Sequence, residues 1–183
     1  MSHLCVFHES NTRQPVKLLN HHEDIAVELS GIGVSFARQE LAAPVTTQTS
    51  SDEVLAAYRA EIERLYGQQG YTLADVIRLD ESQPEKERNS QRAACLVERT
   101  GGREALLFVA GRGLCCLHVG DDVYAVMCEK GDLLSIPAGM KRWFDAGEHP
   151  RVVAIRLLAS ENDRTGQPTG DDPASQYPDF DDY

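Results

Sequence analysis

From Ala94 to Leu158 the chain breaks into short apolar runs separated by glycine-bearing turns, as in "ALLFVAGRGLCCLHVGDDVYAVMCEKGDLLSIPAG". Runs of this length bounded by turn residues cannot form long helices. They predict an antiparallel β-sandwich or barrel. "VGDD" (119–122) predicts a hairpin turn between "LCCLHV" and "VYAVMC". "VAGRG" (109–113) reads as a second tight turn between two strands. Cys115 and Cys116 are adjacent in a strand, so their side chains point to opposite faces.

The first half of the chain mixes element types. "LCVFHES" (4–10) and "VSFARQEL" (34–41) read as strands, and "DVIRLD" (75–80) as a third. "NHHEDIAVELSG" (20–31) reads as a short helix, with Asn20 as its cap and Gly31 as its stop. The clearest helix follows Ser50. Ser50 and Glu53 form a capping-box pattern, and Val54, Tyr58, Ile62 and Leu65 recur at helical spacing. Gly67 marks its expected end. "ESQPEKERNSQR" (81–92) reads as a loop or an exposed helix.

With 183 residues the chain can build one domain with a full core. Its formal net charge of −11 argues against a nucleic-acid or anionic-membrane surface, because phosphate binding needs clustered Lys and Arg. No stretch approaches the roughly 20 apolar residues of a membrane span, and "MSHLCVFHESNTRQ" has no signal-peptide pattern. Five cysteines without metal-type Cys-x-x-Cys pairs fit reduced thiols in a cytoplasm. The stretch from Glu161 to Tyr183 carries seven acidic residues, one Arg and three Pro, and reads as a flexible, solvated tail. The expected organisation is therefore one domain over 1–160, with a barrel core at about 94–158, and a tail over 161–183.

The region 94–158 resembles the cupin barrel. Residues 4–160 more narrowly resemble the acireductone dioxygenase family of methionine salvage, carried by "CEKGDL", "PAG" and "WFD" in order, and more weakly by "HHEDIAVELSGIGVSF". The resemblance implies a mainly β fold: a cupin-type double-stranded β-helix, or jelly roll, with flanking α-helices. It also implies an Fe(II) or Ni(II) site that brings O2 to an acireductone. The landmark residues Gly111, Gly131, Pro137 and Gly139 are all present. Three of the four ligand positions are not as the family has them. Glu98 and Thr100 stand where two histidines belong, and Arg142 stands for a third; only Glu104 remains. Leu106 replaces an arginine that faces the substrate, and the acidic stretch between the ligands has become "GGR".

Guanidinium has no lone pair to give a metal and stays charged. The expectation from these residues is a chain without a metal cofactor. Arg142 would take the metal's electrostatic place, held by both Glu98 and Glu104. The site expected from the sequence has Glu104, Arg142 and Glu98 as catalytic residues and Arg142, Thr100 and Leu106 as substrate contacts. His118 reads as a structural side chain, and the cysteines as core thiols. Three functions are compatible: an enzyme or binder that takes a small polar or anionic molecule without metal, a working acireductone dioxygenase with atypical ligands, or a non-catalytic interaction protein.

Overall fold

The computed structural model describes residues 1–41 and 43–183. The elements in chain order are β1 (His3–His8), β2 (Lys17–Leu19), α1 (His22–Ser30), β3 (Ser35–Arg38), α2 (Ser51–Ala57), α3 (Arg59–Gln69), β4 (Leu73–Asp80) and α4 (Glu85–Cys95). Then come β5 (Arg99–Thr100), β6 (Glu104–Val119), β7 (Asp122–Glu129), β8 (Asp132–Ile136), β9 (Lys141–Asp145), β10 (Arg151–Leu158) and β11 (Gln167–Pro168). All strand pairings are antiparallel, and the mainly β jelly-roll barrel expected from the sequence is what forms.

The architecture turns on β6. Its first half pairs with β10 and β8, and its second half with β7 and β9. One long strand thus belongs to both sheets of the barrel. The "VAGRG" segment is not a turn between strands, as its glycines suggested. The ladder to β10 shifts register near Val153 and Ala154, and Gly111 takes φ 68° at the corner where the strand changes sheets. A Cβ on Gly111 would stand 1.5 Å from the Arg151 carbonyl oxygen, so the close approach requires glycine. The "VGDD" hairpin forms as expected, with β6 ending at Val119 and β7 starting at Asp122.

Both faces of β6 are covered, which explains its near-continuous apolar run. Leu106, Phe108, Cys115 and Leu117 point into the barrel. Ala105, Leu107 and Val109 meet Val54, Tyr58, Ile62 and Leu65 of the helical segment outside one sheet. The Ser50–Glu53 capping box is present, but the helix breaks at Tyr58 into α2 and α3, and it stops at Gly70 (φ 72°) rather than Gly67. The 81–92 segment lies mostly in α4, whose residues are all at least partly exposed. The N-cap of α1 is His21, one residue after the expected Asn20.

Leu114, Cys116, Val123 and Trp143 cover the other outer face, and here the tail differs from expectation. Tyr177 is 7% exposed and packs on Phe7 and Trp143, with Phe180 and Tyr183 beside it. The buried Asp145 carboxylate accepts the Phe180 backbone N–H at 3.0 Å. Three aromatic anchors hold an acidic segment whose composition suggested a solvated chain. Among the described residues no helix is long and apolar enough to cross a membrane.

Candidate functional site

The barrel holds a cavity of about 230 Å³ that is partly open to solvent. Strand alternation decides what faces it. Glu104 opens β6 and Leu106 follows two residues on, so both point inward. Arg142 enters from β9, and Arg156 from β10, directly opposite Leu106. Ile77, Leu117, Ile136 and Phe144 form the apolar wall.

Arg142 is 8% exposed. Its Nε donates to Glu104 Oε1 at 2.6 Å, Nη1 to the Met140 carbonyl at 2.9 Å and Nη2 to the Gly102 carbonyl at 3.0 Å. A guanidinium at this depth is tolerable because a carboxylate and two carbonyls meet it. The Gly101–Gly102 pair makes this possible. A Cβ on Gly101 would stand 3.0 Å from Arg142 Nη2, and one on Gly102 would stand 2.0 Å from Asp163 Oδ1. The "GGR" segment is thus the backbone's accommodation of Arg142 on one side and of the 161–166 segment on the other.

Glu98 does not join this pair. The expected bridge from Arg142 to both glutamates forms only to Glu104. Glu98 is fully buried on the far side, where its Oε2 lies 2.6 Å from His118 Nδ1 and its Oε1 accepts from Thr169 Oγ1 at 2.7 Å. Thr100 also leaves the cavity; its place is in the ladder to Gln167. Side chains alternate along β5, and Arg99, between these two, is the one that lines the cavity. His118 is structural, as expected, but its partner was not foreseen.

Three cavity arginines escaped the sequence reading: Arg99, Arg156 and Arg164. Arg156 had a signal, being the one charge inside the apolar run "VVAIRLL". It grips Asp75 with two hydrogen bonds, Nε to Oδ1 at 2.9 Å and Nη2 to Oδ2 at 2.6 Å. Those bonds push its guanidinium above the usual range and keep it charged. Arg164 bonds the same Asp75 carboxylate. It comes from the tail, where no periodicity marks it. Burial pushes the thiols of Cys116 and Cys128 well up, consistent with inert core cysteines, and raises that of Cys95, which lines the cavity.

The side chains at the four family positions do not fit a divalent cation. Among the described residues no three His, Cys, Asp or Glu side chains converge. Glu98 faces away, and the Arg142 cation is bonded to Glu104, the one carboxylate of the four positions that lines the cavity.

The family model described as "ARD/ARD' family" matches residues 4–165. The acireductone dioxygenase of Pseudomonas paraeruginosa is 51% identical over 179 residues, 97% of this chain and 98% of its own length. That of Stutzerimonas stutzeri is 48% identical over 183 residues, the whole of both chains. A solved acireductone dioxygenase from Bacillus anthracis, with a cadmium ion in its active center, shares the fold. Its TM-score is 0.75 at 23% identity, covering 88% of this chain and 95% of that one. These findings correct two expectations, that dioxygenase chemistry has been abandoned and that no cofactor belongs to it. Proteins identical to this one at half their positions, end to end, carry the name acireductone dioxygenase, and the solved relative of the same fold holds a metal ion. The side chains at the four positions differ all the same.

Proposed function

Because the chain belongs to the ARD/ARD' family, we propose that it is an acireductone dioxygenase and that its substrate sits between Glu104 and Arg142. The end-to-end identity with proteins of that name carries the reading. An acireductone is an enediol conjugated to a carbonyl. It loses a proton readily, and the resulting enediolate is the electron-rich form that O2 attacks.

The cavity has the groups this substrate needs. The Arg142 guanidinium has N–H donors beyond the three in use, and these meet the enediolate oxygens. Glu104 has one oxygen bonded to Arg142 and a second that accepts the enediol proton. The Glu104–Arg142 contact fixes both groups before substrate arrives. Ile77, Leu117, Ile136 and Phe144 take the substrate's apolar chain and keep water from the reacting carbons.

The test follows acireductone loss and O2 uptake together. The protein is assayed as purified and after supplementation with Fe(II) or Ni(II). The expected result is consumption well above spontaneous oxidation in buffer, with Glu104→Gln lowering kcat by about 10²-fold or more. Wild-type protein that adds nothing to the spontaneous rate in any of these states overturns the reading.

A further inference from the structure

Part of the cavity wall comes from outside the barrel strands. Asp163, Arg164, Thr165 and Gly166 line the cavity as four consecutive residues, and they rest on β5. Arg99 Nη1 donates to the Thr165 carbonyl at 3.1 Å, and a Cβ on Gly166 would stand 2.6 Å from the Thr100 carbonyl oxygen. β11 continues the contact, pairing Gln167 with Thr100 and Pro168 with Arg99. The placement of β5 therefore decides two things: which side chain enters the cavity and where this wall stands.

A strand of two residues cannot fix itself. β5 makes one register pair with β9, Arg99 with Arg142, and two with β11. A slip by one residue would turn Arg99 out and bring Glu98 or Thr100 in. Glu98 stands just before the strand and removes that freedom. It is fully buried and does not line the cavity. Its carbonyl accepts the Thr169 N–H at 3.0 Å, and its Oε1 accepts the Thr169 hydroxyl at 2.7 Å. Its Oε2 lies 2.6 Å from His118 Nδ1. His118 belongs to β6, the strand that carries Glu104, and Thr169 directly follows β11. One side chain thus ties β5 to the barrel on one side and to the wall segment on the other. Stability does not call for a carboxylate here, since an apolar residue of similar volume avoids the cost of burying one. The carboxylate adds two directed bonds that only one register of β5 satisfies.

We propose that Glu98 is a positioning residue for the acireductone reaction. Through His118 and Thr169 it holds β5 in register and seats the 163–166 wall, so that Arg99 and that wall face the substrate. The inference rests on the cavity being the substrate site. Glu104 and Arg142 are held by their own bond on β6 and β9. Loss of Glu98 therefore acts on the seating of substrate rather than on proton transfer.

The experiment combines hydrogen exchange of the whole protein with steady-state acireductone kinetics for Glu98→Leu and Glu98→Gln. Leucine removes both side-chain bonds at similar volume. Glutamine keeps both, its carbonyl accepting from Thr169 and its amide donating to His118. Glu98→Leu is expected to lower amide protection at 99–100 and 164–169 about ten-fold and to raise KM about ten-fold, with kcat within about three-fold. Glu98→Gln is expected to stay within about three-fold of the wild type in both readouts. A role in stability alone would lower the urea midpoint and leave KM unchanged, and that result overturns the proposal. Unchanged protection at 164–169, a loss confined to kcat, or a glutamine variant as impaired as the leucine one overturns it as well. Should Glu98→Leu not fold, Thr169→Val decides, since it removes only the hydroxyl bond. A smaller shift of KM and protection in the same direction is then expected, and wild-type values overturn the proposal. Wild-type turnover with no change of KM in the variants sinks only this inference. Absence of wild-type turnover sinks the dioxygenase reading, and the exchange data then decide the placement of the wall by themselves: lost protection supports it, and unchanged protection overturns it.

Discussion

Arg142 and Glu104 define the chemistry of the cavity as a pair, and neither is tolerable there alone. Removing one partner of a buried ion pair leaves the other charged and unanswered, at a cost of about 3–5 kcal/mol. Arg142→Met is therefore expected to lower the unfolding free energy by about that much in urea titration. A double Arg142→Met, Glu104→Leu variant should regain most of the loss while remaining unable to turn over acireductone. A single variant as stable as the wild type would show that Glu104 is not held by Arg142. This pair was legible in the sequence, because Gly111, Gly131, Pro137 and Gly139 fix the register of the strands that bear it. Glu98 and Thr100 were not. Nothing in the letters "VERTGG" shows which way a two-residue strand faces, and a one-residue difference exchanges inside for outside. The tertiary partners decide it: His118 and Thr169 offer Glu98 two hydrogen bonds away from the cavity.

At the scale of elements, the barrel depends on the corner in β6. Gly111→Ala places a methyl group against the Arg151 carbonyl in a left-handed backbone conformation. A loss of more than about 3 kcal/mol in chemical denaturation is expected, since strain and overpacking combine. A near-neutral change would mean that the corner is not a close approach. The sequence showed the glycines but not their use, because a turn and a sheet-switching bulge require the same residue. The second element is the tail. His3, on β1, packs its ring 5.2 Å from that of Tyr183, and burial holds its imidazole below the usual range. The folded state thus binds fewer protons at His3 than the unfolded chain does. Stability from this group is present above the ordinary histidine value near 6.5 and is lost as the pH falls below it. Hydrogen-exchange protection factors in β1 and the 177–183 segment should therefore fall between pH 7 and 5, and His3→Asn should flatten that component. An unchanged pH profile in the variant would exclude His3 as its source. Composition suggested a solvated tail because acidic residues outnumber its aromatic anchors, yet Tyr177, Phe180 and Tyr183 suffice to dock it on the sheet.

Across the whole molecule a jelly roll positions a cationic cavity inside an acidic protein of net charge −11. Inward-facing charges collect at one end of the barrel, where β5, β9, β10 and the start of β6 meet the tail. The fold class could be read from strand spacing, while the arginine cluster could not, since its members come from four separate segments. The most direct measurement is a crystal structure of the protein soaked with acireductone under anaerobic conditions. The enediolate oxygens are expected within hydrogen-bonding distance of Arg142, with Glu104 beside them. Substrate bound elsewhere, or a cavity left unfilled at saturating concentration, would contradict that placement.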